Sequence, residues 1–546
     1  MGWQGAGSPE GAKGSRTTPL LLLACLLLLA SPSPAQDKGE PGLASAGGTY
    51  RRPLGNDPST LDPARISDIY SLSVTHQIFD GLVRFDHTLT IGPALAQYWR
   101  ASRDGLTWTF TLRKGVKFHH GREVTAADVV YSLTRILDPK TKSGAADLFT
   151  SIKGAQDFRQ GRAKTVTGIS ALDQYTVQVV LNEALAPFVS VLAVGHAKIV
   201  PKDIAEQLGE AFGTQPVGTG PFKFVRWDRG REIVLAANPD SFDGRPRLAR
   251  LVYRIFPGEP SDVICQEFEQ GNLEESPVPP RCRNMKSDPR YQYIRRPTFS
   301  VRFYGLNTRA KPLSDVRVRQ AITHALDRET MIQEIFLGRH QPARGILPPG
   351  MPGYNPQLKA PAYSRTLARH LLNQAGFPEG RGLPTITIWS SVKGERIEAE
   401  LTTAKRQLAA VGIPAEIHYE TDWPAFSRQL AEGRFPMFVY AWYADVPDPD
   451  NFLFKLFHSR SPRNLTGYVN PVVDDLLLHA RQEREPARRI EMYRRAEQII
   501  VDEAPIVPMW HYTYERLFQS YVRNVEVNGL GDAYIPLRKM WLEAPR

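Results

Sequence analysis

Residues 385–419 read strand, helix, strand, and that order points to an open α/β sheet. The strand-like run Thr385–Trp389 is followed by a helical stretch, Glu395–Ala410, and a second strand-like run, Ala415–Tyr419. Strands also precede this unit. Leu106–Leu112 alternates apolar residues with threonine at period two, and Tyr175–Leu181 puts Tyr175, Val177, Val179 and Leu181 on one face. Residues 233–235 and 251–256 are further strands around the turn-rich Asn238–Gly244. Helix starts are marked as well. Thr125 can cap a helix carrying Val129, Val130 and Leu133, and Ser314 or Asp315 one carrying Val318, Ala321, Ile322, Ala325 and Leu326. Tyr363–Ala375 ends at Gly376, Asn470-Pro471 pairs a cap with proline at the first helical position, and a last long helix spans Pro486–Asp502. A chain of 546 residues exceeds one ordinary core, so two or three domains are expected. No internal repeat is visible.

The first 36 residues have the parts of a secretory signal: Lys13 and Arg16, the apolar run Leu20–Ala30, and small residues Ser33 and Ala35 before a cut. Eleven apolar residues span roughly 16 Å as a helix, about half a bilayer core, which disfavours a permanent anchor. The mature chain is expected to begin at Gln36. A competing reading takes Leu22–Cys25 as a lipoprotein box, with Cys25 lipidated. Residues 37–48, rich in Gly, Ala and Ser, read as a flexible leader. In an oxidising compartment Cys265 and Cys282 could pair, a short loop worth about 3 kcal/mol in the chain-entropy model, or remain two buried thiols. The charge of +11 is scattered. Its densest cluster, Arg488, Arg489, Arg494 and Arg495, alternates with Glu485, Glu491 and Glu497, so a solvated helix face is expected and no nucleic-acid partner.

A catalytic constellation is not visible. The chain has no Gly-x-Ser-x-Gly, no His-Glu-x-x-His and no phosphate loop. Gly218-Thr-Gly220 lacks the third glycine of a dinucleotide fingerprint and reads as a tight turn. His119-His120 could ligate a metal but has no acidic or cysteine partner at ligand spacing. The cluster that stands out is Ala441–Phe452, after the apolar strand Met437–Tyr440. Aromatics at a strand end, then Asp445 and a proline-pinned loop, suit a cleft wall with a carboxylate aimed at a cation. Asp445 as a cap of the turn's own N–H groups is the alternative.

Several stretches carry a family resemblance: Ser59–Pro63, Phe79–Val83, and Pro93–Ala96 with Trp99. The most specific runs from Asp104 through Phe110, Arg113–His119 and Gly121 to Thr125, Asp128 and Val129. It continues in Gly218–Phe222, Asn238-Pro239, Asp315–Arg317 and Ala441–Phe452. Over residues 49–546 the chain resembles the bacterial extracellular solute-binding proteins of the dipeptide/oligopeptide class. His120 stands where that family commonly has Asp. The resemblance implies a type II periplasmic-binding-protein fold, α/β, with two lobes, hinge strands and an extra subdomain inserted in lobe one. Residues 1–35 would be the signal peptide, 36–78, 199–298 and 514–546 lobe one, 79–198 the insert and 299–513 lobe two. Crossings are placed near Thr298–Phe303 and Thr513–Leu517.

By the same resemblance the protein is not an enzyme. It would be a periplasmic receptor, monomeric and without cofactor, that hands peptides to an inner-membrane ABC permease and its ATPase subunits. Asp445 would meet the ligand's α-amino group, and the backbone of Ala441 and Tyr443 would pair with an extended ligand. Trp442 would pack beside the pocket, and Ser67 and Ile69 would face ligand from the other lobe. Val439 occupies a position where some oligopeptide binders carry an Arg for the ligand carboxylate, so a length-specific clamp is not implied. Relatives of this fold also take nickel complexes, haem or sugars. A secreted hydrolase is the remaining rival.

Overall fold

The computed structural model describes residues 47–543. The signal, its cut after Ala35 and the Cys25 alternative lie outside the described residues. Among these, no helix is long and apolar enough to cross a membrane.

Two bodies of sheet are joined by a pair of crossing strands. In the first, Thr49–Leu54 pairs in parallel with Arg250–Ile255, which continues antiparallel to Glu232–Ala237 and Phe222–Asp228. A three-stranded sheet of Glu275–Pro277, Thr513–Gln519 and Tyr291–Pro297 stands beside it. The second body is a six-stranded sheet in the order Gln341–Pro342, Ile506–His511, Ser300–Leu306, Met437–Tyr443, Ile386–Ser390, Ala415–Tyr419. The strand–helix–strand unit gives a parallel pair there, Ile386–Ser390 beside Ala415–Tyr419, with the helix Glu395–Ala409 between them in sequence. Both faces of that sheet are covered. Val439, Met437, Leu401 and Leu408 lie in one core, and Phe438, Phe426, Tyr493 and Ile500 in the other. A four-stranded sheet, Ala96–Ala101 to Ile169–Asp173, packs with the helix Ala126–Leu137 around a further core of residues 64–199 joined by Val446.

The crossing is short. Tyr291–Pro297 passes into Ser300–Leu306 through Thr298 and Phe299, and Ile506–His511 passes into Thr513–Gln519 through Tyr512. The Thr298 N–H donates to the Tyr512 carbonyl at 2.8 Å, and the Tyr512 N–H to Ser300 Oγ at 3.1 Å. Two single strands tied by few hydrogen bonds bend more readily than the sheets at either end.

Local signals act as their chemistry requires. Thr125 and Asp128 form a reciprocal capping box, Asp315 caps Val316–Ala325, and Asn470 accepts from the Val472 N–H at 2.9 Å. His119 does not stand free: its Nε2 donates to the Gly220 carbonyl at 3.0 Å, and its Nδ1 accepts from Gly218 N at 3.3 Å. Burial, foremost, pushes His119 down to about 4, so the ring is neutral and serves both roles. A Cβ on Gly218 would meet the Ile78 carbonyl oxygen at 2.1 Å, which explains the glycine. Cys265 and Cys282 are joined by a disulfide within a small core of Ile264, Phe268, Leu273 and Leu517.

The expectation of a solvated face on the last long helix, Pro486–Glu503, fails for two of its charges. Arg489 turns inward to both oxygens of Asp448, at 2.9 and 2.7 Å. Glu497 is buried, with Oε1 accepting from the Ile346 and Leu347 N–H groups at 2.8 Å each and Oε2 unpartnered. Burial pushes its carboxyl up to about 7, although the two N–H groups oppose this. A native acid that holds its proton more tightly than the unfolded chain stabilises below the ordinary carboxylate range. That gain is lost as pH rises from about 4.5 to about 7. Glu497→Gln is therefore expected to gain about 2–3 kcal/mol on wild type between pH 5 and pH 8, read as the change in their stability difference by urea unfolding.

Candidate functional site

The strand Met437–Tyr443 carries an unused edge. Antiparallel pairing with Ser300–Leu306 sets Ala441 opposite Arg302 and Tyr443 opposite Ser300. The Ala444 N–H donates to the Phe299 carbonyl at 2.8 Å, so by alternation the even-numbered residues bond to that neighbour. The N–H and C=O groups of Ala441 and Tyr443 then point the other way. Ile386–Ser390 pairs on that side only with Met437 and Phe438, and no described strand covers the rest. Rings flank this gap: Trp389 stacks on Phe435 at 4.6 Å, and the half-exposed Trp423 lies 6.4 Å from Tyr440.

Asp445 stands just past the end of this edge. Its Oδ2 accepts from Lys455 Nζ at 2.8 Å and from Asn451 Nδ2 at 3.0 Å, while its own N–H donates to Asn451 Oδ1 at 3.0 Å. Lys455 comes from the helix Leu453–Phe457, which the proline-pinned loop folds back beside the strand. Protein surrounds the carboxylate, yet 42% of its side chain is accessible, as for a group on the wall of a wet cleft. Burial pushes its pKa up, but Lys455, Asn451 and His196 outweigh this and hold it below the usual carboxylate range.

The opposing wall comes from the first body. His196 Nε2 donates to the Ile66 carbonyl at 3.0 Å, which fixes the loop bearing Ser67 beside it. Ser67 and Ile69 are exposed where that loop enters the helix Ile69–Ile78, capped by Asp68. Tyr534, 4.4 Å from His76, also feels Asp445: burial first, then that carboxylate, pushes its hydroxyl up. His196 thus feels the Asp445 charge and holds the Ser67 loop, whereas Trp442 turns aside, its Nε1 donating to Asn451 Oδ1 at 3.3 Å. Tyr443 stacks on Tyr512 of the crossing at 5.5 Å. His196, Tyr534 and Tyr512 escape a sequence reading because each is an unremarkable residue distant in the chain from the position it meets, and Lys455, ten residues after Asp445, reads alone as an ordinary helix lysine. The described residues hold no group of three or more His, Cys, Asp or Glu that could bind a metal ion.

Four likenesses to known proteins bear on this geometry. The model for bacterial extracellular solute-binding proteins, family 5 middle, matches residues 90–464. The chain is 30% identical over 484 residues to di/tripeptide-binding protein 2 of Pseudomonas aeruginosa, covering 86% of this chain and 90% of that one. It is 30% identical to heme-binding protein A of Haemophilus influenzae, over 85% of this chain and 86% of the other. Its fold superposes with TM-score 0.74 on the ABC transporter-associated periplasmic binding protein DppA from Helicobacter pylori in complex with the peptide STSA. That match has 30% identity and covers 91% of this chain and 99% of that one.

Proposed function

Because the chain belongs to the bacterial extracellular solute-binding proteins of family 5, we propose that it captures short peptides between its lobes and delivers them to an ATP-driven importer. The observation that carries this reading is the uncovered edge at Ala441 and Tyr443, which ends at the accessible carboxylate of Asp445. An extended peptide adds there as a strand, and its ammonium meets Asp445. Backbone pairing gives affinity with little sequence preference. Haem and metal complexes offer no row of amides to such an edge, which favours peptide over them.

The remaining parts of the reading follow from this role. Ser67 and Ile69 face ligand from lobe one, and Trp442 braces the loop through Asn451. The lobes divide at residues 78, 198, 298 and 513. The protein is exported on a signal cut after Ala35, works as a monomer and has no turnover. Ligand contacts to both lobes favour the closed state, which the membrane permease and its ATPase subunits recognise. Small-angle scattering on the mature protein is expected to show compaction when a free-amine tripeptide is added. An unchanged profile at saturating peptide overturns closure.

A further inference from the structure

A second feature of the lobe interface does not belong to the strand edge. A cavity of about 620 Å³ opens where the lobes meet at the crossing, with Tyr512 and Thr513 in its wall. Its charge is one-sided: Arg283, Lys286, Arg295, Arg339 and Arg396 face it, against the single carboxylate of Glu515. That carboxylate is already shared. Lys286 Nζ lies 3.0 Å from it, Arg339 Nε 3.5 Å and Arg295 Nε 3.9 Å. Arg283 donates only to the Leu337 carbonyl, at 3.2 Å, and Arg396 has no hydrogen-bond or ion-pair partner among the described residues. Two buried nitrogens on the same wall, Arg339 Nε and His340 Nδ1, make no hydrogen bond.

Five cations against one carboxylate give this wall a net positive field that attracts anions. The two lobes contribute separately. Arg283, Lys286 and Arg295 come from the segment 280–297, and Arg339 and Arg396 from the six-stranded body, so an anion lodged here bridges both. Tyr512 connects the cavity to the strand edge, since its ring lies against that of Tyr443, two residues before Asp445. Three extended residues span roughly 10 Å beyond the ammonium.

We propose that the cavity receives the carboxylates of an acidic peptide, so that the receptor prefers ligands with acidic side chains toward their carboxy end. The proposal rests on the peptide reading above and narrows its substrate class. Titration calorimetry at low salt with the tripeptides Ala-Glu-Glu and Ala-Gln-Gln tests it, since these share length and shape. Ala-Glu-Glu is expected to bind at least tenfold more tightly. The ratio is expected to shrink on adding salt and to fall below threefold in the double variant Arg283→Gln, Arg396→Gln. Both side chains are exposed, so the variant folds, and a melting curve confirms it. Equal affinities in wild type overturn the acidic preference while leaving peptide capture standing. A ratio unmoved by the double variant overturns the cavity as its source. Binding of neither peptide overturns the peptide reading itself and this proposal with it.

Discussion

Asp445→Asn is expected to weaken binding of a free-amine tripeptide by one to two orders of magnitude. A hydrogen bond to a charged group contributes roughly 1.5–3 kcal/mol net, and each 1.4 kcal/mol is a factor of ten in affinity. The upper part of that range applies here because of Lys455. In wild type the carboxylate offsets that ammonium at 2.8 Å and still has lone pairs for a second one. Asparagine keeps the shape but leaves Lys455 uncompensated beside the incoming ligand cation, so attraction is replaced by repulsion. The alternative role, a cap for the loop, does not match the geometry. No backbone N–H among the described residues donates to the Asp445 carboxylate, and the capping belongs to Asp448, which accepts from the Asp450 N–H at 2.9 Å. Calorimetry with free and amino-acetylated tripeptide checks the assignment. Acetylation is expected to weaken binding to wild type severely and to cost the variant little more. If acetylation leaves wild-type binding unchanged, Asp445 is not the ammonium anchor.

Much of the frame was legible because it is local. Period-two alternation located Thr107–Leu112 and Thr176–Val180, and cap chemistry located the starts at Ala126 and Pro471 within a residue. The accessible position of Asp445 just past a strand of aromatics was legible too, since that pattern lies in one stretch of chain. What stayed hidden is assembled from distant segments. The basic cavity gathers side chains spread from residue 283 to residue 396, each of which reads alone as an ordinary surface Arg or Lys. The helix Pro486–Glu503 misled for the same reason. Alternating charges predict a solvated face, but Arg489 finds Asp448 and Glu497 finds two orphan N–H groups only after tertiary packing. Likewise, the uncovered edge depends on where Ile386–Ser390 diverges from its neighbour, which no residue type announces.

The ladder that presents this edge has its own weak point, and Glu400→Gln is expected to expose it at a cost of about 3–5 kcal/mol. Arg302 sits opposite Ala441, and its guanidinium is buried on the face of the sheet covered by the helix Glu395–Ala409. Glu400 on that helix neutralises it, with Arg302 Nη2 donating to Oε2 at 3.0 Å and to Oε1 at 3.3 Å, and the Tyr304 hydroxyl donating to Oε1 at 3.1 Å. The Glu400 side chain is 1% exposed and that of Arg302 10%, so water cannot replace either partner. Glutamine preserves volume and some hydrogen bonding but strands a full positive charge under the uncovered edge. The loss therefore comes from the unpaired ion, not from the absent contact, and the two can be separated. Arg302→Met with Glu400→Gln removes both charges and is expected to recover most of the stability in urea unfolding. A double variant as unstable as Glu400→Gln alone would show that packing around Glu400, and not the stranded guanidinium, sets the cost. Peptide affinity in the double variant is a second readout. The ladder partner of Ala441 keeps its backbone, so binding is expected to return with the fold.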